Sequence, residues 1–150
     1  MNVQLRAAQP TDAGATGDVL WNYLCRTDWM PNLYTAAETI GFCGSMIDRG
    51  WVTVATLSDQ VEGFIARDGD EIHALYLNRK LVRLGVGKML LDDAKSGRKR
   101  LDLWAFQAAT GAQRFYLREG FVEQDRTDGA RNDENLPDIH YIWTRKAAKK

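Results

Sequence analysis

Thr110–Phe121 reads TGAQRFYLREGF. Ala112, Phe115 and Tyr116 are spaced to share one helical face, so a helix is predicted over about Thr110 to Glu119. Gly120 supplies its stop, and Phe121 opens a strand behind it. RLDLWAF, just upstream, reads as a strand. The run therefore passes from sheet to helix and back to sheet.

Further upstream, YLNRKLVRLGVGKML spans Tyr76 to Leu90 and sets Gly85-Val86-Gly87 between a strand and a helix predicted from Gly87 to Ser96. Glycines let a ligand approach the backbone, and the free amides and dipole of a helix N-terminus favour negative charge. Arg83 and Lys88 add cations nearby. Taken alone, the turn serves packing as readily as phosphate binding. A Walker A loop fails at Val82 and Met89, and a Rossmann fingerprint fails at Leu90.

Outward from these two segments, Val3 to Ala7 reads as a strand, and Pro10-Thr11-Asp12 as the turn and cap of a helix through Val19, Leu20, Tyr23 and Leu24. A second helix is predicted over Ala36 to Arg49, with Ile40, Cys43, Met46 and Ile47 at helical spacing and Gly50 as stop. WVTVATL, EGFIARD and EIHALYL form an antiparallel meander with turns at Ser58-Asp59 and Asp68-Gly69. DIHYIWT is a final strand behind the polar loop RTDGARNDENLP. With neither repeat nor linker, residues 1–150 read as one α/β domain, a mixed sheet with helices on it.

Composition narrows the function classes. Twenty basic and twenty acidic residues cancel, so no broad positive field points to nucleic acid or a membrane surface. Cys25, Cys43, His73 and His140 lack metal-ligand spacing, and no disulfide framework is suggested, which fits a reducing cytoplasm. The N-terminus lacks a signal-peptide core and the chain lacks a membrane-length apolar run, so a soluble protein is expected. The basic tail RKAAKK reads as a solvated terminus.

In order, EIHALYLNRKLVRLGVGKMLLDDAK and LDLWAFQAATGAQRFYLREGF resemble the GNAT N-acetyltransferase superfamily. The matching parts are its acyl-CoA-binding strand, its Arg/Gln-x-x-Gly-x-Gly/Ala loop and helix, and its Ala-x-x-Phe-Tyr-x-x-x-Gly-Phe element. Ala112, Phe115, Tyr116, Gly120 and Phe121 all fall in place, and the element order agrees over nearly the whole chain. The resemblance implies a mostly antiparallel sheet of about six or seven strands with about four helices, two strands splaying to form the acyl-CoA cleft. It implies acetyl transfer from acetyl-CoA, the cosubstrate, to a primary amine of a small molecule, peptide or protein by direct attack.

Residue by residue, the resemblance assigns the pantetheine to the backbone of Leu75, Tyr76 and Leu77, as in strand addition. The pyrophosphate falls to the loop Val82, Arg83, Leu84, Gly85, Val86, Gly87 and Lys88, and Ala109 and Phe115 complete the cofactor-binding set. Strict alternation would place Glu71, His73, Leu75 and Leu77 on one strand face. Glu71 stands where some members carry a general-base glutamate, with His73 as second candidate, and Tyr116 matches the thiolate-protonating tyrosine. The plainer readings are a solvated strand start for Glu71, an interior histidine for His73 and a core tyrosine for Tyr116. An oxyanion donor is expected at a backbone amide near Leu75.

Two positions depart from the family pattern. Val82 replaces the loop's Arg or Gln, and Ala109 replaces a commonly found Asn. They open an alternative reading as a non-catalytic acyl-CoA-binding or sensor module; a purely structural interaction domain is the third. Acceptor specificity is expected in TDWMPNLYT and TDGARNDENLPD, where Asp28, Asp133 and Glu134 meet Trp29, Met30 and Tyr34. The resemblance also implies homodimers through sheet edges or last strands, here DIHYIWT.

Overall fold

The computed structural model describes residues 2–146. The last four residues of the basic tail lie outside them. The chain lays down strands β1 (Val3–Ala7), β2 (Val52–Leu57), β3 (Gln60–Asp68), β4 (Glu71–Leu77), β5 (Arg100–Phe106), β6 (Val122–Thr127) and β7 (Asp138–Thr144). Its helices are α1 (Ala13–Cys25), α2 (Ala36–Asp48), α3 (Val86–Lys95) and α4 (Thr110–Arg118). They build a seven-stranded sheet in the order β1-β2-β3-β4-β5-β7-β6, antiparallel throughout except between β4 and β5.

Each sheet face buries a core. Leu90 and Leu91 of α3 and Tyr116 of α4 pack with Leu101, Leu103, Ile139 and Tyr141 on one face. Val19 and Leu20 of α1 and Cys43, Met46 and Ile47 of α2 pack on Val54, Phe64 and Ala74 on the other. α1 and α2 cross closely because residue 17 has no side chain: a Cβ there would stand 2.7 Å from the Ile40 Cα. α2 starts on a reciprocal cap in which the Thr35 hydroxyl accepts from Glu38 N at 3.0 Å and Glu38 accepts from Thr35 N at 3.0 Å.

The predicted elements are all present with ends moved by a residue or two: α3 opens at Val86, α4 ends at Arg118, and β6 begins at Val122. The β2–β3 turn uses Ser58 (φ 50°) and Asp59 (φ 63°), and the β3–β4 turn is centred on Gly69-Asp70 rather than Asp68-Gly69. Two expectations are corrected. β4 does not alternate strictly, because Ala66 faces Ala74 while Arg67 faces Ile72, leaving His73 as the extra residue of a β-bulge. The bulge reverses the faces: Ile72, Leu75 and Leu77 join the α3–α4 core, whereas Ala74 and Tyr76 join the α1–α2 core, and His73 stacks on Trp51 of that second side. Glu71 and His73 therefore do not share a face with Leu75 and Leu77. DIHYIWT cannot offer an edge for self-association, since β7 is paired by β5 on one side and β6 on the other.

Candidate active site

β4 and β5 meet at one register pair, Glu71 opposite Asp102, with Asp102 N donating to Asp70 O at 2.8 Å. Beyond it they diverge around a cavity of ≈ 580 Å³. On the β3 side, Asn78 N donates to Glu62 O at 2.7 Å, while Gly63 faces Leu77 and Ile65 faces Leu75. Antiparallel ladders alternate bonded and non-bonded pairs, so Leu75 and Leu77 turn their N–H and C=O groups away from β3 and toward the gap. An open strand edge thus lines the cleft.

The glycine loop closes one end. Arg83 (φ 70°) and Gly85 (φ 76°) both take the left-handed conformation, and Met89 N donates to Gly85 O at 3.0 Å as the first bond of α3. The amides of Val86, Gly87 and Lys88 are consequently the free donors of a helix start. Gly87 also gives room for α4: a Cβ there would lie 3.4 Å from Phe115. Val82, Arg83, Gly85, Val86, Gly87 and Lys88 line the cleft, whereas Leu84 is exposed outside it. Lys88 is ion-paired with Asp92 at 3.3 Å and Glu119 at 3.1 Å. Arg83 has no ion-pair partner among the described residues.

Tyr116 reaches the cleft from α4, packed against Phe115, Phe121 and Tyr141 at ring distances of 5.2, 5.5 and 6.2 Å. Its ring is core and its hydroxyl makes no hydrogen bond within the described residues. Burial, with Tyr23 a lesser contributor, pushes its phenol well above the ordinary range, so the hydroxyl keeps its proton. Tyr76 also lines the cleft, but opposite Phe64 it falls in a bonded pair of the β3–β4 ladder, so the expectation that its backbone is free for a ligand is corrected: its N–H and C=O are spent on β3, and its ring sits against Tyr23 at 4.9 Å and Phe64 at 5.9 Å.

His73 lines the cleft at the bulge, its ring parallel to Trp51 at 4.8 Å and its Nδ1 3.8 Å from Glu71 Oε2. Glu71 is not part of the cleft wall. It stands behind the imidazole, where β4 and β5 are still joined. Ala109 lines the cleft at the start of α4, and the strand end before it is held by Gln113, whose Nε2 donates to Phe106 O at 3.2 Å and to the backbone O of Gln107 at 2.6 Å.

The sequence reading missed several cleft residues. Arg26, just past α1, donates from Nη2 to Leu77 O at 2.8 Å, and Tyr23 stands beside it. Trp104 and Phe106 separate the cleft from a second cavity of ≈ 500 Å³ walled by the β6–β7 loop. Alternation on β5, where Leu101, Leu103 and Ala105 are buried, is the signal that could have found Trp104 on the opposite face; the chain distance between α1 and β4 hid Arg26. The two segments expected to shape the acceptor site do meet, through the Tyr34 hydroxyl donating to Asp133 at 2.8 Å. Among the described residues no cluster of His, Cys, Asp and Glu could hold a metal, and no helix is long and apolar enough to cross a membrane.

The family described as acetyltransferase (GNAT) domain matches residues 32–123. The chain belongs to the GNAT acetyltransferase family. No curated protein matches at a significant level. Among solved structures, the GNAT chain is similar to the solution structure of apo-form YjaB from Escherichia coli, at 21% identity and a TM-score of 0.80, covering 95% of this chain and 98% of that one. It is also similar to yncA from Salmonella typhimurium, a putative acetyltransferase solved with its cofactor acetyl-CoA, at 16% identity, TM-score 0.73, and 100% and 99% coverage. A third is the PaiA N-acetyltransferase from Thermoplasma acidophilum in complex with coenzyme A, at 19% identity, TM-score 0.71, and 97% and 100% coverage. At these identities the likeness speaks for the fold.

Proposed function

We propose that this GNAT protein is an N-acetyltransferase that moves the acetyl group of acetyl-CoA to a primary amine. The observation that carries the reading is the open edge of β4 at Leu75 and Leu77, with free loop amides at one end of the cleft and the Tyr116 hydroxyl inside it. The residues fit the cosubstrate. Leu75 and Leu77 supply peptide-like hydrogen-bonding groups, Val86 to Lys88 supply amides for a pyrophosphate, and Arg83 supplies a cation. Acetyl-CoA brings an activated thioester.

The chain's own groups then divide the proton work. His73 accepts a proton from the attacking amine, directly or through water, and Glu71 at 3.8 Å steadies the imidazolium that results. The amine nitrogen bonds to the carbonyl carbon as the carbon–sulfur bond breaks. Tyr116 gives its proton to the departing sulfur, and a backbone amide near Leu75 faces the charge that develops on oxygen. The products are an amide and a free thiol.

A non-catalytic acyl-CoA-binding module is the second reading, favoured by exposed Val82 where a polar or cationic residue is usual. Calorimetric titration with acetyl-CoA, followed by thiol release with a panel of amines, separates the two. Binding with thiol release is expected. Binding without release from any amine leaves the binder, and no binding at millimolar acetyl-CoA removes both.

A further inference from the structure

His73 stands at the cleft with nothing in the strand ladder to fix its ring. As the extra residue of the bulge it has no partner on β3, where Ala66 faces Ala74 and Arg67 faces Ile72. Its side chain is 30% exposed, and Glu71 Oε2, 3.8 Å from Nδ1, is beyond hydrogen-bond reach. A base must meet the amine proton at about 3 Å, or through one water. A ring free to turn about its two side-chain torsions would be misdirected much of the time.

What holds it is the indole of Trp51, the residue before β2. The two rings lie parallel, 4.8 Å apart and 7° from coplanar orientation. Trp51 is itself fixed. Its N–H donates to Met46 O at 3.2 Å in the last turn of α2, its carbonyl accepts from Arg67 N at 2.9 Å, and its side chain packs on the α1–α2 core. The Arg49 guanidinium carbon lies 4.9 Å from the centre of its ring. The bulge makes the meeting possible, because it turns His73 to the side of the sheet that carries Trp51.

Resting on the acetyltransferase reading with His73 as the base, we propose that Trp51 is a positioning residue for that reaction. Its flat face sets the plane of the imidazole, so that the nitrogen taking the amine proton stays turned into the cleft. The indole N–H is a donor only and moves no proton. Trp51 is not part of the cleft wall, so its loss falls on turnover and not on binding.

Thiol release from acetyl-CoA is followed with the fastest acceptor among n-butylamine, glycine amide and lysine amide. Trp51→Leu keeps apolar bulk without a flat ring; it is expected to lower kcat about tenfold while both KM values stay within about twofold. Trp51→Phe restores a flat face and is expected to recover kcat to within about threefold of the unaltered protein. In a chain already carrying His73→Ala, Trp51→Leu should lower kcat by less than about twofold, since no ring is left to position. Unchanged kcat in Trp51→Leu, equal kcat in the Leu and Phe variants, a loss confined to KM, or a further tenfold loss in the His73→Ala background each overturn the proposal and leave acetyl transfer standing. No thiol release from the unaltered protein overturns acetyl transfer, and this role with it. Proton NMR of the unaltered protein needs no Trp51 variant to fold: the His73 ring signals, identified by their absence from His73→Ala, are expected upfield of free histidine in the ring current of the indole. Signals at the free-histidine position show a ring that is not held and overturn the proposal.

Discussion

Arg26 Nη2 donates to the carbonyl oxygen of Leu77 at 2.8 Å, tying the end of α1 to the open edge of β4. The guanidinium lies 5.6 Å from the centre of the Tyr23 ring. Because β5 has already diverged at this point, no neighbouring strand pairs with that carbonyl, and a side chain takes the place of a strand. This is also the edge on which the pantetheine is proposed to lie. One carbonyl therefore has two prospective donors.

Replacing Arg26 by alanine is expected to tighten acetyl-CoA binding about threefold to tenfold. A hydrogen bond to a charged group is worth about 1.5–3 kcal/mol, and solvent near the cleft mouth reduces what is recovered. Calorimetry on Arg26→Ala checks it. Weaker binding would show that Arg26 holds the cosubstrate instead of competing with it.

Tyr116→Phe is expected to leave the acetyl-CoA dissociation constant within about twofold and to lower kcat about a hundredfold, the scale of a lost general acid. The pH profile adds a sign. Burial disfavours the phenolate, so the Tyr116 proton is retained above the ordinary tyrosine range, and no alkaline loss of rate below about pH 10 should arise from it. Unchanged kcat in the phenylalanine variant would remove Tyr116 from the mechanism.

The sequence pattern made much of this geometry legible, for identifiable reasons. Gly50, Gly85 and Gly120 stand at turns the pattern predicts, and each has positive φ in the structure. The helix faces through Cys43, Met46 and Ile47, and through Ala112, Phe115 and Tyr116, follow from helical period alone. What stayed hidden was non-local. The bulge at His73 depends on how β3 registers against β4, and one extra residue there exchanged the faces of everything downstream. Arg26 meets Leu77, and Trp104 meets His140, across chain separations that no periodicity spans. Gln113 Nε2, reaching back from α4 to Phe106 O and Gln107 O, is a further contact that no periodicity shows.

The His73–Glu71 pair predicts unequal effects. His73→Ala removes the group that lines the cleft, and kcat should fall about a hundredfold. Glu71→Gln removes only a charge 3.8 Å behind the imidazole, partly screened by solvent, so kcat should fall by less than about tenfold. Steady-state rates of the two variants at one neutral pH and saturating acetyl-CoA compare them. If Glu71→Gln costs more than His73→Ala, the carboxylate is the base and the roles reverse.

Far from the cleft, stability should depend on acid through Asp12. Arg6 grips its carboxylate in a two-pronged contact at 2.7 and 3.0 Å, and Gln9 N donates to it at 2.7 Å. The hydrogen bond from Arg6 is the chief cause holding the Asp12 carboxyl below its ordinary value. A depressed carboxyl stabilises the fold fully above its unfolded value, near pH 4, and loses that contribution as pH falls through its folded value. Arg6 is partly exposed, so Asp12→Asn should cost only about 1 kcal/mol at neutral pH, about 2–4 °C in Tm. The gap from the unaltered protein should shrink in melts near pH 3, where the native carboxylate itself begins to take up its proton. A gap of constant size from pH 7 to pH 3 would mean that Asp12 acts through shape rather than charge.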